Sequence, residues 1–285
     1  MTDFLISTET LEGCLHDDNL RIFDCTTFLK QSPDGRVLME SGKSTYDENH
    51  IVGAALTDIQ RDFSDQNSPL PFTLPTEDDF AEAAASHGIT NDNHLVFYST
   101  GDLIWATRLW WVFRAFGHER VSVLDGGLAK WIREDRPLEE SASSYAPTSY
   151  SANRDLSYIA DTERVLSAID EDDTCILNAL SREEFRGESA RYGRPGRIKG
   201  SESMPWNELI DPQTGCFLPR EDLQNVLDKT SALTSTYVIA HCGAGIAATA
   251  TLFVLALLGQ ETKTALYDNG MLEWAKAAEL PMQSV

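Results

Sequence analysis

No two of the five cysteines in this 285-residue chain stand in a C-x-x-C pair. Cys14, Cys25, Cys175, Cys216 and Cys242 are odd in number and scattered, which argues against a disulfide framework and against a zinc site. Free thiols fit a reducing, cytoplasmic setting. Basic residues are scarce: 23 Lys and Arg face 45 Asp and Glu, a formal net charge of -22. So acidic a surface repels phosphate backbones and anionic lipids, so no nucleic-acid or membrane partner is expected. The N-terminal MTDFLISTETLEG has no basic stretch followed by an apolar run, and no signal peptide is expected there. The longest apolar stretch near the C-terminus, Leu252 to Leu258, is too short to cross a bilayer.

What is present is a repeat. HLVFYSTGDLIWATRLWWVFRAFGHERVSVLDGGLAKW (His94 to Trp131) and TYVIAHCGAGIAATATLFVLALLGQETKTALYDNGMLEW (Thr236 to Trp274) follow one plan. Each reads as an apolar strand, a Gly-containing loop, an apolar helix ending at Gly117 or Gly259, a short strand, and D-x-G-x-x-x-W. Thr100 and Cys242 are 142 residues apart, and Trp131 and Trp274 are 143 apart, the spacing of a duplicated domain. Upstream, RIFDCTTFL pairs with CILNALSREEF, and HIVGA with RIKGS. Apolar strands alternating with helices predict parallel α/β units. Arg136 to Asp155, rich in Ser and Pro without apolar period, reads as a linker. The boundary falls near Ser144 to Ser151, giving domains of residues 1–143 and 152–285.

The second copy carries the chemistry-bearing stretch, HCGAGIAATA. The VIA run before it reads as a buried strand, and the Ala- and Leu-rich run after it as a helix. Cys242 then lies at the carboxyl end of a strand, the edge where open α/β sheets bind ligands. Gly243, Ala244, Gly245, Ile246 and Ala247 add no charge and little bulk. Two glycines allow the backbone to turn N–H groups inward, and a helix N-terminus favours both anions and thiolates. The expected product is an anion cradle built round one sulfur. Protein tyrosine phosphatases place an arginine six residues after such a cysteine to clamp phosphate oxygens. Here that position is Ala248, and no arginine follows, so phosphoryl transfer lacks its electrostatic partner.

HCGAGIAA, the duplicated halves, YDNGMLEW and FRGE…GRPGRIKG together resemble the tandem-domain rhodanese or sulfurtransferase family, most narrowly the 3-mercaptopyruvate sulfurtransferases. The resemblance covers nearly the whole chain. It implies an α/β fold of two tandem rhodanese-like domains, each a mainly parallel sheet flanked by helices. The first would be silent, with Thr100 at the position of the nucleophile. Cys242 would take sulfur from 3-mercaptopyruvate as a persulfide and pass it to cyanide, a small thiol or a thioredoxin-type acceptor. No metal or organic cofactor is implied. Thiosulfate is the alternative donor, but as a dianion it favours cations in the loop, and this loop has none. A non-catalytic module for sulfur carriage or partner binding is the alternative of another class.

The same resemblance implies a carboxylate-gripping Arg186 in EFRGE and a second arginine, Arg194 in preference to Arg191. It aligns His50 with a family histidine facing the cleft between domains. Asp125, Gly127 and Trp131, like Asp268, Gly270 and Trp274, read as packing and turn residues. Three departures bear on activity. Ala244 replaces a serine of the family loop, NALS (Asn178 and Leu180) replaces D-A-R-S, and RIKG (Arg197 and Lys199) replaces H-I-P-G.

Overall fold

The computed structural model describes residues 4–31 and 37–284. They form two compact units. Of the described residues, one comprises those within 4–66, 74–154 and 212–216, and the other those within 67–73, 155–211 and 217–284.

The first unit is built on a five-stranded sheet in the order Leu5–Ile6, Val121–Leu124, His94–Tyr98, Leu20–Asp24, Ala55–Leu56, with every pairing parallel. Parallel strands covered on both faces need unbroken apolar runs. Leu95, Val96, Phe97 and Tyr98 accordingly have no exposed surface. Helix Ile104–Ala115 buries Trp105, Trp110, Trp111 and Phe113, and the Phe80 ring stacks on Phe116 at 4.1 Å.

The second unit repeats the plan. Its sheet runs Glu202–Ser203, Thr174–Asn178, Tyr237–His241, Thr264–Tyr267, again all parallel. A parallel bridge from Ile159 to Leu266 takes the place of the first unit's outer strand. Helix Ala247–Leu257 is buried on every side from Ala248 to Ala256, which accounts for its lack of a polar face. Both long helices end alike. Gly117 and Gly259 adopt φ of +85° and +83°. Their N–H groups bond back to Arg114 and Ala256, and the next N–H reaches Phe113 or Leu255. This is the paired C-terminal closure that only glycine enters without strain. Trp131 and Trp274 donate their indole N–H to Pro137 O and Pro281 O at 2.8 and 3.1 Å. His50–Ile51 pairs with Leu138–Glu139 as Arg197–Ile198 pairs with Met282–Gln283, so HIVGA and RIKGS are equivalents.

The stretch read as a linker is fastened to the first unit. The Tyr145 hydroxyl donates to Gly53 O at 2.7 Å and accepts from Ile22 N at 2.9 Å. Thr148 N bonds Ala85 O, Asn153 N bonds Phe116 O, and Ser151 and Asn91 bond reciprocally. Polar composition there reflects a strap held by backbone bonds rather than by an apolar face.

Candidate active site

Strand Tyr237–His241 delivers Cys242 to the carboxyl edge of the second sheet, with His241 flanked by Asn178 and Tyr267. Two neighbours shape the turn that follows. Ala179 N donates to His241 O at 2.9 Å. From the start of helix Gly270–Trp274, Met271 N donates to Cys242 O at 2.8 Å and Leu272 N to Gly243 O at 2.9 Å. This approach requires Gly270, whose φ is +48° and where a Cβ would stand 2.3 Å from Cys242 O.

With those carbonyls tied down, the loop's amides turn the other way. Among the described residues, no protein acceptor meets the N–H of Gly243, Ala244, Ile246 or Ala247. Gly245 supplies the positive φ of +70° that curls the loop. Successive N–H groups leading into a helix N-terminus form an anion nest. Cys242 is 3% exposed, and Ala244 and Ala247 are the loop's partly exposed positions.

The first unit explains why this nest is open. The strand registers and the Gly127 contact show that Ser99, not Thr100, is the counterpart of Cys242. Leu128 N donates to Ser99 O, and a Cβ on Gly127 would stand 2.4 Å from it. Thr100 therefore matches Gly243. Asp24 Oδ1 accepts from Thr26 N as Asn178 Oδ1 accepts from Leu180 N, both at 2.9 Å, so Thr26 matches Leu180. In the first unit Thr26 Oγ1 accepts the N–H of Thr100 at 2.8 Å. Buried Leu180 has no acceptor to offer, and Gly243 N–H stays unpaired. Asn178 meanwhile supports the turn without any buried ion pair.

Burial pushes the thiols of Cys14, Cys25 and Cys216 up, and that of Cys175 to about 12. His241 is wholly buried, which lowers it to about 4 and leaves a neutral imidazole beside the loop. Among the described residues no group of three or more His, Cys, Asp or Glu is placed to hold a metal ion, and no helix is long and apolar enough to cross a membrane.

The arginines divide. Arg186 closes helix Arg182–Arg186 and is half-exposed, its fork on Glu188 at 2.7 and 3.3 Å. Such a surface pair is weak and exchanges readily for another carboxylate. Arg194, preferred above as a second substrate clamp, is committed elsewhere. Its guanidinium donates to the carbonyls of Trp274, Ala275, Ala277 and Leu280 at 2.5–3.0 Å, binding the chain's final turn. Arg191 is the exposed cation of this stretch, 3.5 Å from Glu184, with its guanidinium 5.5 Å from the Tyr192 ring centre. Arg197 lies over Phe185 at 4.3 Å and bonds Phe185 O, which makes it a packing group. His50 also fails as a ligand group. It has no exposed surface, stacks on Tyr46 at 3.7 Å and bonds Tyr46 O through Nδ1 at 2.7 Å.

Tyr192 was not expected. Its ring edge lies against Gly243, with the hydroxyl 2.3 Å from where a Cβ on that glycine would stand. The one signal for it is an aromatic isolated in the polar run RYGRPG.

Two copies of the Rhodanese-like domain model match the chain, at residues 7–134 and 161–277. The chain belongs to the rhodanese family. The 3-mercaptopyruvate sulfurtransferase of Escherichia coli K12 is 33% identical over 287 positions, covering 100% of this chain and 99% of the relative. Thiosulfate sulfurtransferase of Mus musculus is 29% identical over 96% of this chain and 92% of its own length. The rhodanese-fold crystal structure of SseA from Escherichia coli, a 3-mercaptopyruvate sulfotransferase by its description, superposes with a TM-score of 0.82 at 31% identity, over 94% of this chain and 98% of that one. By this kinship the tandem rhodanese chain is an enzyme of the sulfurtransferase class.

Proposed function

We propose that this chain moves sulfur from 3-mercaptopyruvate, through a persulfide on Cys242, to a thiol-type acceptor. The observation that carries the reading is Cys242 set beside four unpaired loop amides, with no cation among the loop side chains. The Cys242 thiolate attacks the donor sulfur, and an S–S bond forms as the donor's C–S bond breaks. The C–S electron pair leaves as the enolate of pyruvate, which takes a proton from water. An acceptor thiolate (or cyanide) then attacks the outer sulfur and the Cys242 thiolate leaves. This is two-step covalent catalysis with ping-pong kinetics. The amides hold the negative charge that collects on sulfur in both steps. Arg186, by exchanging Glu188 for the donor's carboxylate, supports mercaptopyruvate over thiosulfate. The five free thiols support a reducing cytoplasm as the working compartment.

Intact-mass spectrometry after brief exposure to each donor tests this. The wild type is expected to gain one sulfur, faster from mercaptopyruvate, and Cys242→Ser none. Faster loading from thiosulfate would reassign the donor. No gain from either donor would refute turnover and favour a carriage or binding module.

A further inference from the structure

The residues of the cysteine loop, Gly243 to Ala247, carry no hydroxyl, amide or charged side chain. His241 is sealed inside the sheet. Thr249 donates its hydroxyl to Ile246 O, and a second polar side chain, Tyr192, reaches the loop at Gly243. Its ring edge abuts Gly243, so closely that the glycine has no room for a Cβ. Its hydroxyl makes no hydrogen bond with any protein group among the described residues. The hydroxyl is also not sealed from solvent, since it is absent from the fully buried unpaired atoms. Arg191 over the ring helps to hold it.

We infer that the Tyr192 hydroxyl donates a hydrogen bond to the sulfur being transferred on Cys242, which makes Tyr192 a catalytic residue of the sulfurtransferase reaction proposed above. The phenol is a fixed donor: burial first, and the nearby Cys242 in addition, push it above its ordinary range, so it keeps its proton at neutral pH. No hydrogen bond joins it to the resting thiol. A persulfide extends the cysteine by about 2 Å, so the outer sulfur is the atom that reaches beyond the resting position. The proton stays on the phenol throughout. Electrons move as in the two displacements above, and the hydrogen bond stabilises the charge that gathers on the outer sulfur. The backbone amides hold that charge from the loop side and Tyr192 from above Gly243.

The test compares full-length wild type, Tyr192→Phe and Tyr192→Ala in two assays. One is iodoacetamide alkylation of Cys242, which needs no sulfur donor. The other is single-turnover sulfur loading from mercaptopyruvate and from thiosulfate, read by intact mass. Phe keeps the ring against Gly243 and removes the hydroxyl alone. Alkylation in Tyr192→Phe is expected within about twofold of wild type, while loading falls by about tenfold to a hundredfold, the range for one charge-stabilising donor. The steady-state counterpart is a fall in kcat at a KM changed by less than about twofold. Tyr192→Ala is expected to lose both loading and control of alkylation. Equal loading by Tyr192→Phe and wild type overturns the inference. Loss of alkylation in step with loading also overturns it, because the role would then be structural. A wild type that is alkylated but takes no sulfur refutes the sulfurtransferase reading itself, and this inference with it.

Discussion

Gly127 and Gly270 permit one experiment in which the same insult is delivered to both copies, the one with Ser99 and the one with Cys242. Each has a positive φ, +53° and +48°, and at each a Cβ would stand 2.4 or 2.3 Å from a carbonyl, of Ser99 or of Cys242. An alanine forced into the left-handed region costs about 1–2 kcal/mol. The clash adds to this, because the obstacle is backbone and cannot swing aside. At Gly270 the helix must retreat, which breaks Met271 N to Cys242 O and Leu272 N to Gly243 O, at about 1 kcal/mol each. The total is roughly 3–4 kcal/mol, within the 5–15 kcal/mol stability of an ordinary domain, so the protein still folds. Gly127→Ala loses a similar amount less one bond, since Leu128 N to Ser99 O is the contact at risk there. Urea unfolding is expected to show both losses. Sulfur loading is expected to fall about a hundredfold in Gly270→Ala alone, because a shift of about 1 Å in the nucleophile carries that penalty. Gly270→Ala loading sulfur at the wild-type rate would refute the claim that the neighbouring helix sets the loop. Equal activity losses in both variants would do the same.

Leu180→Thr is expected to place a hydroxyl where Thr26 has one, pair it with Gly243 N–H, and slow loading about tenfold, measured in single turnover with stability checked in urea. Arg186→Ala is expected to raise KM for mercaptopyruvate more than for thiosulfate. Arg194→Ala is expected instead to cost about 2–4 kcal/mol of stability with little change in KM, since its four carbonyl partners lose their donors. Acid unfolding carries a sign that can be checked. His241 and His118 are both lowered to about 4 by burial, so the unfolded chain binds more protons between pH 4 and 6.5, and stability rises with pH across that window. The His87–Asp62 pair at 3.2 Å acts outside that window. His87 is raised, so its contribution is complete below pH 6.5 and lost as pH climbs through its folded value. Asp62 is lowered, so its contribution is lost only in stronger acid, as pH falls through its own folded value. His87→Gln should therefore leave the rise from pH 4 to 6.5 in place and remove a fall in stability above pH 6.5. An unchanged slope of the urea midpoint above pH 6.5 would contradict the assignment.

The elements that carry chemistry were legible because each needs a residue type that few positions tolerate. Gly259 and Gly117 mark helix ends by their φ, and Cys242 at a strand's end follows from the VIA run before it and the glycines after it. The one-residue slip that pointed to Thr100 came from the helices, since Ile104–Ala115 has 12 residues and Ala247–Leu257 has 11. The strands and glycine contacts keep the 143 spacing and point to Ser99. Arg194 could not be assigned from its neighbours in sequence, because its partners are carbonyls about 80 residues away. The strap of residues 136–155 misleads for a related reason: backbone hydrogen bonds leave no apolar period. Leu180 reads in sequence as a lost charge, and only the matched turn of the other copy reveals it as a missing acceptor.

That missing acceptor has a further consequence for the duplicated chain. The first copy retains the glycine and the clamping amide beside its loop, yet a hydroxyl one strand away already occupies the amide that matches Gly243 N–H. Loss of the sulfur alone is therefore not the whole difference between the two loops. On the reading proposed above, a thiol placed at Ser99 would lack the amide that matches Gly243 N–H, so giving the first copy the site of the second takes a paired change at Ser99 and Thr26.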